Sequence, residues 1–487
     1  MSLIEETATV ATPTKISDLP GPRGLPWLGN TLQVDRNRLH LQLEDWARQY
    51  GEAYTISIVP RRFLVLSNPE VVASVLRDRP EGFRRSTRLE QISTELGFLG
   101  LFSANGATWK RQRPMVLAGL DPSHIKAFFP TLIQVTERFA KRWRKAAQSG
   151  EAIDLQADLM RYTVDVTAAL AFGEDINTIE AEHEQVIQQH LNQVLPALFK
   201  RVFSPFDAWK YFPSQADRAM PGHLRAIQEA VDGFIAKTER KLEQQPELRE
   251  QPANLIQAMM AARDREGSGI TNADVSGNVL TMLLAGEDTT ANTLAWLIWL
   301  LHKNPDARRQ AAAESRAVLA GATCPRSVEE LTQLDVVEAC AYEAMRLKPV
   351  APLIVNEALK DTVVAGIDVP AGALIMCLMR PGAVDARNFP APQQFDPARW
   401  TAGGGSVAQA MSSPKRVVMP FGAGPRICPG RYLALAEIKM VMAMLLANFE
   451  IADVYTEDGS DPQERISLTM YPVGLSMRLK EAAATQQ

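Results

Sequence analysis

The stretch Pro420–Gly430, P-F-G-A-G-P-R-I-C-P-G, constrains the fold more than any other part of the chain. Three prolines and three glycines exclude a helix or a regular strand, so the stretch must be a tight loop whose backbone comes close to another group. The next segment, Arg431 to Asn448, is rich in Leu, Ala and Met and reads as a buried helix. Cys428 therefore sits just ahead of a helix start, where backbone N–H groups and the helix dipole stabilise a thiolate. Pro429 suits the first turn, because its missing N–H would have had no partner there. Arg426 adds a nearby positive charge. Read without its spacing, a lone cysteine is a buried structural residue.

The spacing F-x-x-G-x-R-x-C-x-G, carried by Phe421, Gly424, Arg426, Cys428 and Gly430, resembles the haem-binding loop of the cytochrome P-450 family. The resemblance implies haem b, with Cys428 as the axial iron ligand and Phe421, Gly422, Arg426 and Gly430 framing the cofactor. A thiolate ligand pushes electron density onto iron and favours O–O cleavage.

A length of 487 residues allows up to three domains, and 46% hydrophobic with 22% charged residues is ordinary for a soluble globular protein. The net charge of −4 gives no reason to expect nucleic acid or an anionic membrane as partner. Cys324, Cys340, Cys377 and Cys428 show no C-x-x-C spacing, so neither a disulfide framework nor a zinc site is indicated, and a reducing, cytoplasmic setting is expected. Met1 to Ser17 lacks an apolar core of signal-peptide length, and no uninterrupted stretch reaches membrane-span length. The expected organisation is a disordered tail over 1–18 followed by one monomeric domain over 19–487. Its fold class is mainly α with small β-sheets.

Leu19 to Asn30 is a Pro/Gly-rich surface segment that resembles the family's entry segment. Leu39–Tyr50 and Pro69–Arg77 read as helices, and Ala53–Val59 and Arg62–Leu66 as paired strands. Thr87 to Gly106 reads as a loop carrying Phe98, Leu99, Leu101 and Phe102. Those residues serve either as core or, on the resemblance, as cover for a substrate pocket. Pro130 to Arg263 is mostly helical in period. It is broken over 196–213 by an aromatic-rich stretch (Phe199, Phe203, Phe206, Trp209, Tyr211, Phe212) that suits a partner surface or, preferably, a lid. Gly403–Gly405 reads as a surface loop.

Thr271 to Asn304 is the longest helical candidate, opened by a Thr271-x-x-Asp274 capping box and stopped at Pro305. At about 1.5 Å per residue it spans roughly 50 Å. Its flanks are apolar all round, which predicts burial. Its middle, Ala285-Gly286-Glu287-Asp288-Thr289-Thr290, is costly in a buried helix unless paired or wet, and predicts a kink or widened turn. By itself it also suits a place where the helix surfaces. The string resembles the family's oxygen-binding signature. That match implies Asp288 as the acid and Thr289 as the alcohol that deliver protons to oxygen, with Ala285 facing the haem.

Trp109 and Arg113 fall on one helix face and alone suit a surface charge cluster. On the resemblance they bind a haem propionate. Glu343 and Arg346 at i, i+3 are ordinarily a weak surface pair. On the resemblance they join Arg399 in a buried network that supports the haem loop. Two departures stand out: the arginine many members carry after this helix is Asn356 here, and Ala383-Val384 replaces the usual His or Arg. Arg380 is the candidate replacement donor.

The reaction implied is insertion of one atom of O2 into a C–H or C=C bond. Apolar residues Phe98, Leu101, Phe102, Leu353, Ile354 and Met470, with Ala285 and Thr289, favour a lipophilic substrate such as a terpenoid, steroid or fatty acid. No flavin or nicotinamide domain is expected, so electrons come from a separate ferredoxin or flavodoxin. Its docking face is expected at Lys110, Arg111, Lys415, Arg416, Arg431 and Lys439. The competing readings are a peroxide-driven peroxygenase or isomerase, a haem sensor or carrier without turnover, and a helical binding protein without haem.

Overall fold

The structure, a computed structural model, describes residues 13–181, 190, 193–194, 197–198, 200–202, 204, 206–401 and 414–482. The long helix runs from Asn272 to Lys303. Its start is fixed by a reciprocal capping box: the Thr271 hydroxyl accepts from the Asp274 N–H, and the Asp274 carboxylate accepts from the Thr271 N–H at 2.9 Å. Pro305 ends it by opening the next helix, Pro305–Leu319.

The helix Leu155–Phe172 lies against the long helix, and the Thr163 hydroxyl donates to the Glu287 carbonyl at 2.9 Å. Gly286 permits that approach, because a Cβ there would lie 2.5 Å from Thr167 Oγ1. The widened turn expected at Gly286 does not form: the helix stays α-helical throughout, and the glycine serves close packing. The helix Arg431–Asn448 is buried for most of its length and shares one large hydrophobic cluster with the long helix, Phe139, Trp143 and Tyr162.

Beside this helical layer lies a five-stranded sheet in the order Ala53–Ile58, Arg61–Leu66, Leu374–Leu378, Leu353–Ala358, Phe83–Arg85. Only the pairing of Phe63–Leu66 with Leu374–Cys377 is parallel within it. Two smaller sheets involve the C-terminal segment: Phe449–Thr456 with Leu475–Glu481 and Ile153–Asp154, and Glu464–Ile466 with Met470–Pro472.

Two expectations require correction. Thr14–Lys15 pairs in parallel with Ile367–Asp368, so ordered chain begins before residue 18. Thr87–Glu95 is a helix rather than loop, with the Ser86 hydroxyl accepting from the Leu89 N–H as its N-cap. Phe199, Phe203 and Gly403–Gly405 lie outside the described residues. Of the remaining aromatic stretch, Phe206, Tyr211 and Phe212 are exposed, while the Trp209 ring has Arg88 and Arg201 each 5.2 Å from it.

Candidate active site

The cysteine loop closes on itself through the Cys428 N–H, which donates to the Phe421 carbonyl at 2.9 Å. Gly424 adopts φ +70°, and a Cβ there would lie 2.6 Å from Arg77 Cα, so both backbone conformation and packing demand glycine. Gly422 is likewise left-handed at φ +74°. Gly430 caps the following helix, and a Cβ there would come into ordinary contact with Cys428 Sγ at 3.9 Å. Burial pushes the Cys428 thiol up despite the Gly430 N–H and the charges of Arg113 and Arg431. A thiol held this way is a poor free nucleophile, but a coordinating metal deprotonates it outright.

The helix Gly106–Ala118 brings Trp109 and Arg113 to this loop. Arg113 Nη2 donates to the Ile427 carbonyl at 2.7 Å. The Arg426 guanidinium stacks over the Trp109 ring at 4.8 Å and donates to the Ala104 carbonyl, while its Nε has no partner. Burial lowers Arg426 to about 10, with the Arg79 charge adding to the effect. Arg79 is itself buried, donating to the carbonyls of Leu76 and Ala423, and Arg85 lies close enough to both arginines to feel their charges. These cations are gathered in the interior, and the Glu90 carboxylate, held by Asn105 at 2.9 Å, offsets part of the charge at Arg426.

On the long helix, Thr281, Ala285 and Thr289 recur at four-residue spacing and keep accessible surface, although the flanking turns are buried. The polar middle therefore keeps accessible surface along one face of an otherwise buried helix. The Thr289 hydroxyl donates to the Ala285 carbonyl at 2.9 Å. Asp288 has no hydrogen-bond partner among the described residues, and burial raises it to about 6. The loop ahead of this face is pinned to it: the Leu101 N–H donates to Asn278 Oδ1 at 2.8 Å, and Gly277 would clash with the Leu99 carbonyl if it carried a Cβ.

Of the expected substrate contacts, Phe102, Leu353, Ile354, Ala285 and Thr289 present accessible surface. Phe98 and Leu101 are buried, and Met470 is fully enclosed. Met470 is therefore a core residue, whose N–H donates to the Val350 carbonyl at 2.8 Å.

Glu343, Arg346 and Arg399 do come together. Arg346 pairs with both Glu343 oxygens at 2.8 Å and also donates to the Ala383, Pro392 and Gln394 carbonyls. Arg399 Nε and Trp400 Nε1 reach the same carboxylate at 3.3 and 2.9 Å. Arg380 is a correction. All three of its nitrogens are engaged by Glu44 and Glu464, at 2.8 and 2.9 Å for the closest contacts, so two carboxylates neutralise it and it cannot serve a propionate. The docking face also needs correction: Arg111 pairs with Asp274 at 3.1 Å, and Lys439 is buried against Glu338 and the Leu331 carbonyl. The Lys415 side chain lies outside the described residues.

Three residues that carry weight here are not evident from the motifs. Glu437 is buried on the helix after Cys428 and hydrogen-bonds Thr290 of the long helix; burial lifts it to about 8. Arg79 and Arg85 precede the helix Thr87–Glu95, and the Arg84-Arg85 dipeptide was their one signal.

The residues present fit a haem. Cys428 is half-buried just ahead of its helix, the buried Nε of Arg426 has no partner among the described residues while the Arg79 and Arg85 charges lie close by, and the small side chain of Ala285 is accessible on the long helix. Comparison with known proteins agrees. The cytochrome P450 family model matches residues 19–478. Soybean (Glycine max) cytochrome P450 97B2, chloroplastic, is 26% identical over 85% of this chain and 78% of its own. The mouse (Mus musculus) mitochondrial 25-hydroxyvitamin D-1 alpha hydroxylase is 26% identical over 96% and 92%. The carotene epsilon-monooxygenase of Arabidopsis thaliana is 25% identical over 88% and 79%. The crystal structure of the cytochrome P450DA heme domain shares the fold, with a TM-score of 0.82, 23% identity and coverage of 96% and 98%. With its family matched almost end to end and its thiolate loop and long-helix signature in place, the chain belongs to the cytochrome P450 family and is a haem-thiolate monooxygenase.

Proposed function

We propose that the protein hydroxylates or epoxidises a lipophilic small molecule, using electrons from a separate redox protein. The observation that carries the reading is the accessible face of the long helix between buried turns. There, small Ala285 and Thr289 keep accessible surface, as apolar Phe102, Leu353 and Ile354 do on their own elements. A bound haem supplies oxygen activation at its iron. The chain's part is to hold substrate, exclude water and move protons.

Asp288 suits proton movement because it is unpaired and raised to about 6, close to working pH. It collects a proton and passes it towards Thr289, its neighbour on the same helix. The Thr289 hydroxyl, which donates to the Ala285 carbonyl and so keeps its oxygen free to accept, relays the proton. Two relatives named for 25-hydroxyvitamin D and carotene act on large apolar molecules, which supports a substrate of that class.

Among the described residues no helix is long and apolar enough to cross a membrane. Lys110, which pairs with Glu81 at 2.9 Å, Arg416 and Arg431 make up the proposed basic face for an acidic ferredoxin or flavodoxin. The free, buried thiols of Cys324, Cys340 and Cys377 support a reducing compartment such as the cytoplasm. The test is a binding screen of terpenoids, steroids and fatty acids by the haem absorption shift, followed by turnover of the hits with a surrogate redox pair. Saturable shifts and oxygenated product are expected. Turnover only of small polar compounds would contradict the proposal.

A further inference from the structure

The family's usual propionate arginine is Asn356 in this chain, and Arg380 is spent on two glutamates, so the cofactor's carboxylates need another cation. The strand Phe83–Arg85 pairs antiparallel with the strand carrying Asn356, in a register that sets Arg84 opposite Glu357 and Arg85 opposite Asn356. Directly opposed residues project from the same face of a sheet. On one face Arg84 finds its carboxylate, with Nη2 donating to Glu357 Oε1 at 2.5 Å. On the other face Asn356 is buried and, among the described residues, its amide reaches the Ile354 carbonyl and Cys377 Sγ at 3.5 and 3.6 Å. Arg85 extends over that face with no carboxylate bonded to it among the described residues, and there its buried Nε has no partner either.

Its guanidinium lies 4.8 Å from the Phe102 ring. Asn105 ties it to the cysteine loop, because Asn105 Oδ1 accepts from the Arg85 N–H at 3.0 Å and from Arg426 Nη2 at 3.3 Å. Burial, and after it the charges of Arg79 and Arg426, hold Arg85 well below the usual arginine range. An accessible yet desolvated cation surrounded by other cations is expensive unless an anion joins it.

We propose that Arg85 supplies, from the neighbouring strand, the guanidinium that binds a haem propionate in place of the arginine absent at position 356. The assignment rests on haem being the cofactor. It makes Arg85 and Arg426 a pair that grips the carboxylate edge of the haem, joined through Asn105.

The test is the rate of haem loss from the ferric, substrate-free protein to excess apomyoglobin, for wild type, Arg85→Gln and the swap Arg85→Gln/Asn356→Arg. One charge-assisted bond lost predicts haem release at least about tenfold faster in Arg85→Gln, and a return to within about threefold of wild type in the swap. Unchanged release in Arg85→Gln would overturn the assignment. Unchanged release with weakened fatty-acid binding would do the same, and would make Arg85 a substrate-carboxylate anchor. If Arg85→Gln does not fold, the swap decides: haem retention like wild type supports the proposal, and fast loss overturns it. Wild type that takes up no haem would refute the cofactor itself, an outcome visible before any variant is compared.

Discussion

Thr289 Oγ1 donates to the carbonyl oxygen of Ala285, one turn earlier, at 2.9 Å, and both residues keep accessible surface on the long helix. The bond holds the hydroxyl in one rotamer at the place where the proton is needed. Thr289→Ala should therefore lower product formed per NADPH consumed by at least about tenfold, while Thr289→Ser keeps most of it. Coupling unchanged in Thr289→Ala would remove this residue from the proton route.

Asp288 gives a pH-dependent signature. Its carboxyl is raised from 3.8 to about 6, so the folded protein holds that proton more tightly than the unfolded chain. Stability is therefore lost as pH rises from about 4 to about 6, and stays lost above, by up to about 3 kcal/mol. Asp288→Asn of the haem-free protein should be more stable than wild type at pH 8 by up to that amount, and little different near pH 4. Urea unfolding at both pH values measures it. A variant destabilised equally at both would contradict the assignment. The same variant should lose turnover, on the order of a hundredfold.

Glu343 anchors the buried network. Its carboxylate is fully enclosed and serves Arg346, Arg399, Trp400 and the Asp396 N–H. Glu343→Ala strands two guanidinium groups and should cost about 3–5 kcal/mol in unfolding free energy. A loss below about 1 kcal/mol would show that the network does not hold the fold.

Gly286 and Thr167 form a packing pair between two buried helices. Gly286→Ala places a methyl 2.5 Å from Thr167 Oγ1, and overpacking of this kind costs about 1–3 kcal/mol. Thr167→Ala removes the obstructing atoms, together with a buried hydroxyl that has no partner, so the double variant should recover most of the loss. Additive losses in thermal unfolding would exclude the contact.

Local punctuation made much of the fold legible. Leu39–Tyr50 and Pro69–Arg77 follow from their apolar period, Arg431–Asn448 from its near-continuous Leu, Ala and Met, and all three from Asn68-Pro69, Gly51 and Gly430 at their ends. The helix Thr87–Glu95 was hidden because most of its residues are polar and only Ile92 and Ser93 are buried. Within the site, the residues of short motifs were readable, whereas pairing across distant chain was not. Arg380, Arg111 and Lys439 look like available cations until folding brings Glu464, Asp274 and Glu338 to them. Arg85 was missed for the converse reason: a three-residue strand is too short to show alternation, and only the register with Asn356 reveals which face it takes.

The most direct test of the account is the absorption spectrum of the dithionite-reduced protein under carbon monoxide, for wild type and Cys428→His. Thiolate ligation predicts a strongly red-shifted Soret band in wild type that is lost in the variant. A band at the position of imidazole-ligated haem in well-folded wild type would contradict Cys428 as the iron ligand and, with it, the monooxygenase chemistry.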